Sequence, residues 1–321
     1  MERINLFFAV DDNYCSFLSA ALCSMFDNAD KNFGYDIYVL HNGISEEKQQ
    51  VLKNQVEGDG VINFVNMNEK LKTLEDRLVT RDYYTMTTYY RLFIPNMFPE
   101  MDKALYLDSD IIIKGDISKL YNVDMGNNLV GAVPDMAVKN TPVFIEYVEQ
   151  GLGVKCDNYF NAGILLMNLK EMRAWNFEDK FIELLSKYKF RVAQDQDYLN
   201  VLTKNRVKYV DNSLNVQPVP GNICGIDEIN LIHYNMLWKP WIFKDVVYEE
   251  DFWKYAKKSP LYNLILETTN SMTDNIRQNK LNGGAALLEM AGKEAKDPNN
   301  YYNKFVKKML IKKHLVGELY E

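Results

Sequence analysis

The chain has 321 residues, of which 37 are Lys or Arg and 44 are Asp or Glu, for a formal net charge of −7. Hydrophobic residues make up 47% and charged residues 25%, which excludes a largely disordered or collagen-like chain. The acidic balance argues against a nucleic-acid partner, and an aromatic content of 13% supplies side chains that can finish a core or line a polar pocket.

Ile4–Val10 is a continuous apolar run and reads as a strand. It meets Asp11-Asp12-Asn13, which either caps the next helix or offers carboxylates to a ligand. Tyr14–Asn28 has helical spacing through Phe17, Leu18, Ala21, Leu22 and Met25. The N-terminal run is too short for a signal-peptide core, and no stretch approaches the roughly 20 apolar residues that a membrane span needs. Tyr35–Leu40 is a second strand, Ser45 is placed to cap a helix with Lys48 at its third position, and Val61–Val65 is a third strand. This alternation implies a mostly parallel sheet with helices on both faces.

Thr85–Phe98 reads as a helix interrupted by Pro95 and Pro99. Ala104–Leu107 is a strand that runs into Asp108-Ser109-Asp110. Leu129–Val133 and Ile164–Asn168 are strands, and Pro142–Gln150, Phe177–Tyr188 and Gln196–Leu202 are helices. Val207–Val210 and Leu231–His233 are short strands. From about Asp251 onward the chain reads as helical, with a break at Gly283-Gly284. In Tyr301–Glu321, Tyr302, Phe305, Val306, Met309, Val316 and Leu319 recur at helical spacing between Lys304, Lys307, Lys308, Lys312 and Lys313. Such a basic amphipathic helix either lies on an anionic membrane surface or docks on its own core. Cys15, Cys23, Cys156 and Cys224 form no C-x-x-C pair and read as free thiols in a reducing, cytoplasmic setting.

Asp108-Ser109-Asp110 is the sharpest chemical feature. A strand delivers two carboxylates at i and i+2 to its C-terminal end, where open α/β sheets bind ligands. The pair can share a hard divalent cation, or it can be a strand-end turn in which Asp caps the backbone. Two carboxylates facing a diphosphate require a cation, since one such contact at about 4 Å costs about 4 kcal/mol at an effective dielectric near 20. His233, at a strand end and followed by Lys239-Pro240-Trp241, is either a third ligand or a structural imidazole. Gly151-Leu152-Gly153 imitates part of a dinucleotide fingerprint but lacks its last glycine and follows a helix, so it is set aside.

Several segments recur in one order: Phe8-Ala9-Val10-Asp11-Asp12-Asn13-Tyr14, Asn42-Gly43-Ile44-Ser45, Thr87-Thr88-Tyr89-Tyr90-Arg91-Leu92 and Leu105-Tyr106-Leu107-Asp108-Ser109-Asp110. Tyr159-Phe160-Asn161-Ala162-Gly163, Gln194-Asp195-Gln196-Asp197-Tyr198-Leu199-Asn200 and His233 with Lys239-Pro240-Trp241 follow. In that order and spacing, residues 4–245 resemble family 8 glycosyltransferases of the bacterial lipopolysaccharide galactosyl- and glucosyltransferase branch. The resemblance implies a GT-A fold: an α/β, Rossmann-like mixed central sheet flanked by helices. Residues 1–250 would be catalytic, with a nucleotide-sugar half over about 1–125 and an acceptor half over about 126–250. Residues 251–321 would form a helical C-terminal region ending in the basic tail 301–321.

The resemblance also implies UDP-galactose or UDP-glucose as donor, Mn²⁺ or Mg²⁺ as cofactor, and retaining transfer to a saccharide acceptor such as a cell-surface glycan or lipid-linked precursor. The tail implies peripheral association with the inner face of the plasma membrane. Ala9, Asp11 and Asn13 would contact uracil and ribose. Asp108, Asp110 and His233 would bind the metal, Ser109 the ribose, and Lys239 the β-phosphate. Arg91 would reach the donor sugar or the Asp108 side of the site. Asn161, Ala162, Asp195 and Gln196 would surround the donor sugar, with Gln196 and Asp195 as the catalytic candidates. Tyr14 and Asp135 would meet the acceptor. Met236 departs from the family, which often has Gly three residues after the metal-binding His. A nucleotidyltransferase or a non-catalytic saccharide-binding protein are the alternatives.

Overall fold

The apolar N-terminal run forms β1 (Glu2–Ala9), with Ile4, Leu6, Phe7 and Phe8 all buried. Burial on both faces is what a strand inside a helix-covered sheet requires. The structure is a computed structural model and describes residues 1–72, 86–219 and 228–309. β1 pairs in parallel with β2 (Phe33–His41), and β2 with β3 (Val61–Asn66). The intervening helices are α1 (Cys15–Asn28) and α2 (Glu46–Asn54). The chain then returns to the other side of β1, where β4 (Lys103–Leu107) also runs parallel to it. The crevice outside the carboxyl ends of β1 and β4 is therefore a topological switch point, the usual ligand site of such sheets.

The remaining strands are β5 (Ile111–Ile113), β6 (Val130–Ala132), β7 (Ile164–Asn168), β8 (Val207–Tyr209) and β9 (Leu231–His233). The large sheet has the order β3-β2-β1-β4-β7-β6-β8. β7 is antiparallel to both β4 and β6, so the sheet is mixed, and the parallel pattern of the first 70 residues does not extend across it. β5 and β9 form a separate antiparallel ladder that sets His233 opposite Ile111. Alternate strand residues feed two cores: Phe7, Tyr106 and Leu165 on one side, Leu6, Leu105 and Leu166 on the other.

Several local expectations need correction. The helix expected at Thr85–Phe98 is a 3₁₀ segment, Met86–Leu92, followed by a short α-helix, Ile94–Met97, with Thr85 outside the described residues. Pro95 sits in the first turn of that helix, where its missing N–H costs nothing. Ser45 makes no side-chain cap on α2; its N–H donates to Asp12 at 3.0 Å, and Lys48 pairs with the same carboxylate at 2.5 Å. The helix expected at Pro142–Gln150 divides into α3 (Pro142–Glu146) and a π-helical turn, Tyr147–Leu152. That turn ends at Gly153, whose φ of 72° is left-handed and where a Cβ would lie 2.6 Å from the Tyr302 ring. The rejected glycine pair thus closes a helix.

After α4 (Phe177–Lys187) and α5 (Asp195–Leu202), the C-terminal part contains α6 (Glu249–Ala256), α7 (Tyr262–Ser271) and α8 (Asp274–Lys296). α8 runs unbroken through Gly283-Gly284. Its Leu287, Ala291 and Ala295 are buried against α3 and the π turn, and this packing outweighs the roughly 1 kcal/mol helix penalty of each glycine. Tyr301 and Phe305 then pack on Tyr188, with ring centroids 5.8 and 6.3 Å away, while Lys304, Lys307 and Lys308 are exposed. The start of the tail is therefore docked on the protein's own core; residues 310–321 lie outside the described residues, as does Cys224. Cys15, Cys23 and Cys156 are free. No described helix is long and apolar enough to cross a membrane.

Candidate active site

β4 ends at Leu107, and the Asp108 N–H donates to the Gly163 carbonyl at 2.7 Å. That bond continues the β4–β7 pairing by one step and fixes where the acidic turn begins. The His233 Nε2 lies 3.3 Å from Asp110 Oδ1 and 3.7 Å from Asp108 Oδ2. One ligand atom from each of Asp108, Asp110 and His233 falls within 4.8 Å of the others. Gly163 makes this possible: a Cβ there would lie 2.2 Å from His233 Cε1 and 2.6 Å from Asp108 Oδ2.

His233 is buried, and its Nδ1 lies 3.2 Å from Asn215 Oδ1. Since the Asn oxygen only accepts, Nδ1 donates to it, and Nε2 faces the two carboxylates, where a bound divalent ion would take its lone pair. Two hard carboxylate oxygens and one neutral imidazole suit a first-row divalent ion such as Mn²⁺, and the donor set also accommodates Mg²⁺. Asn215 was not singled out in the sequence; it lies in a 3₁₀ turn, Asn212–Asn215, with no pattern that marks it.

Two buried cations face these acids. The Lys239 ammonium pairs with Asp110 and donates to the Tyr234 carbonyl at 2.7 Å. Burial would raise the Asp110 carboxyl, but Lys239 and His233 outweigh it and hold that group well below the usual range. Arg91 is buried as well. Its Nη2 lies 2.9 Å from Asp108, its Nε lies 3.2 Å from Asp195, and it also donates to the Ala162 carbonyl. The Tyr106 hydroxyl adds a 2.9 Å bond to Asp108. Three carboxylates thus share two cations, and the surplus negative charge favours a further positive ion.

Asp195 is buried at the start of α5 and accepts from Thr88 Oγ1 at 2.6 Å. Burial pushes its carboxyl up to about 6, partly opposed by Arg91. Gln196 accepts from the Ala162 N–H at 2.9 Å and donates to Asp135 at 3.0 Å. Asn161 donates to the same Asp135 oxygen at 3.1 Å, and Asn215 donates back to Asn161 at 3.0 Å. A chain of hydrogen bonds therefore runs from His233 through Asn215, Asn161 and Asp135 to Gln196. Asp197, which carried no assigned role, accepts from Tyr159 at 2.7 Å, Tyr147 at 2.8 Å and the Ala193 N–H at 2.9 Å. Burial pushes it up to about 6 as well.

Asp108, Asp110, His233, Arg91, Lys239, Asp195, Gln196 and Asn161 surround one cavity of about 200 Å³ at the switch point, with Asn215 and Asp197 behind its wall. Ala9, Asp11, Tyr14, Ser109 and Asp135 also line it. Asp11 additionally accepts from the Tyr14 N–H at 2.9 Å, so it organises the start of α1 while facing the cavity. Asn13 is the one expected site residue that the cavity wall does not include; it is exposed. Met236 lines the cavity with a left-handed φ of 56°, the conformation a glycine would take without strain.

Solved structures with this fold are glycosyltransferases. The galactosyltransferase LgtC, solved with donor and acceptor sugar analogs, superimposes with a TM-score of 0.66 at 28% identity, covering 80% of this chain and 96% of that one. The bifunctional WbbM superimposes with a TM-score of 0.73 at 28% identity over 84% of this chain, which spans 52% of WbbM's length. The fold is GT-A and the protein is a glycosyltransferase.

Residues 5–245 match Glycosyl transferase family 8, and the chain belongs to that family. The lipopolysaccharide 1,3-galactosyltransferase of Salmonella typhimurium is 28% identical over 255 residues, covering 75% of this chain and 73% of the relative. The protein is thus a hexosyltransferase, and the nucleotidyltransferase and non-catalytic readings fall away.

Proposed function

We propose that this protein transfers galactose or glucose from a UDP-sugar to a saccharide acceptor, with retention of configuration and with a divalent cation, Mn²⁺ or Mg²⁺. The observation that carries the reading is the convergence of Asp108, Asp110 and His233, beside Lys239, on the cavity that also holds Asp195 and Gln196. Asp108, Asp110 and His233 would hold the ion, which when bound neutralises diphosphate charge. Lys239, kept protonated by Asp110, stabilises the negative charge that develops on the departing UDP. Asp11 accepts from uracil N3–H or a ribose hydroxyl, Ala9 leaves room for the base, Ser109 faces the ribose, and Asn13 contributes only from the rim.

Arg91 orients Asp108 and Asp195 together, so the metal side and the sugar side are set by one guanidinium. Asn161, Ala162, Asp195 and Gln196 enclose the donor sugar, and Tyr14 and Asp135 face the acceptor. Gln196 is an amide held at both ends, so it cannot form a covalent glycosyl intermediate. Asp195 is already engaged by Arg91 and Thr88, which makes it a poor nucleophile. These contacts favour same-face substitution, in which a phosphate oxygen takes the acceptor proton as the C–O bond to UDP breaks. Residues 1–250 form the catalytic unit in this reading. The acceptor is a cell-surface glycan or lipid-linked precursor met at the cytoplasmic face, where the exposed lysines of the tail meet the anionic membrane surface while Tyr301 and Phe305 stay packed on Tyr188.

Incubating the full chain with UDP-galactose or UDP-glucose and Mn²⁺ tests this. UDP release is expected from one donor and is expected to stop on chelation. Absence of release with both donors, or release indifferent to chelator, overturns the reading. Replacing Gln196 with Ala lowers turnover far more than UDP affinity, and equal losses in both count against its catalytic role.

A further inference from the structure

Part of the cavity wall on the acceptor side is apolar. Phe144, Tyr147, Val148, Val192, Met236 and Leu287 line it. Among these side chains the one hydroxyl, on Tyr147, donates to Asp197. Phe144, Tyr147, Val148, Val192 and Leu287 belong to one buried cluster, with Met236 packed against it. Leu287 comes from α8, beyond residue 245 where the family match ends, so part of this wall is contributed from outside the matched region. Met236 holds its place at a cost, because a left-handed backbone disfavours any residue with a Cβ. Its unbranched thioether suits an irregular apolar partner.

A sugar hydroxyl buried against such a wall finds no partner and loses its hydration. An aryl or alkyl group there gains by leaving water. We infer that the acceptor carries an apolar aglycone beside the hydroxyl that receives the sugar, and that this lobe seats it. The inference rests on the proposed donor and acceptor assignment of the cavity.

The test uses the full chain loaded with UDP and Mn²⁺, and measures binding of matched methyl, phenyl and n-hexyl β-glucosides and β-galactosides by calorimetry. In at least one series the phenyl or hexyl member is expected to bind at least tenfold more tightly than the methyl member, about 1.4 kcal/mol. The phenyl and hexyl arms distinguish an aryl from an alkyl source. Leu287→Asn is expected to cut that ratio below about threefold (on the order of 0.7 kcal/mol). A ratio measured within one protein does not depend on the fraction that is active, and Met236→Gly provides a second variant should Leu287→Asn fail to fold. Equal binding within every series, including none at all, overturns the inference. So does a ratio that neither variant changes. If UDP and Mn²⁺ do not bind, the functional reading itself falls and this inference with it; if they bind and the glycosides are not distinguished, only the inference falls.

Discussion

At one end of the cavity, Asp108, Asp110, His233, Arg91 and Lys239 are locked by ion pairs and hydrogen bonds. At the other, Phe144, Val148, Met236 and Leu287 pack as apolar side chains. Directional contacts between charges leave one workable geometry, and a missing partner strands a buried charge. Apolar contacts tolerate displacement and lose energy in proportion to area. The charged end should therefore respond to substitution abruptly and in a metal-dependent way, and the apolar end gradually.

The most damaging change expected is Lys239→Met. It leaves the Asp110 carboxylate uncompensated and costs about 3–5 kcal/mol of stability in chelator. Added Mn²⁺ restores much of the loss by supplying the missing charge. Urea denaturation with EDTA and with Mn²⁺ measures both, and an equal loss in the two buffers contradicts the picture.

Gly163→Ala comes next. The new methyl intrudes between His233 and Asp108. Mn²⁺ affinity, followed by the electron-paramagnetic signal of free Mn²⁺, should fall on the order of 100-fold. Unchanged affinity would mean that the triad does not bind the ion. Asn215→Leu tests the imidazole alone. Without its acceptor the His233 ring loses its fixed tautomer, and affinity should fall about tenfold, while Asn215→Asp retains an acceptor and most of the affinity.

A pH-dependent effect belongs near the apolar end, where Asp197 supports Tyr147 and Tyr159. Its folded-state value of about 6 lies above the usual value of about 4. Below pH of about 4 both the folded and unfolded states are protonated. Between about 4 and 6 the unfolded chain loses this proton first, so the group withdraws stability as pH rises, and its contribution is flat above about 6. The stability difference between the wild type and Asp197→Asn should shift across that window and stay constant from pH 6 to 8. A constant difference throughout would place the Asp197 value near that of an ordinary carboxyl.

The contrast between the two ends also governs how much could be read in advance. The acidic doublet, His233 and Lys239 sit at strand ends or in short segments whose chemistry shows in the residue names. The apolar runs of β1, β2, β4 and β7 announced the sheet for the same reason. Asn215 left no such trace, because its meaning lies in reaching a histidine from a turn without periodicity. Phe144 and Leu287 have helical spacing, which states that a face is buried but not whether it meets core or cavity. The Gly283-Gly284 break was expected from local propensity, and tertiary packing of α8 overrode it.

The ladder between β5 and β9 joins residues 111–113 to residues 231–233, segments far apart in the chain. A chain that has formed only β1 to β4 owns two carboxylates and no imidazole to complete them. In the proposed reading competence arrives with the last strand to dock, so a nascent polypeptide would stay inert toward nucleotide sugars until β9 has been synthesised.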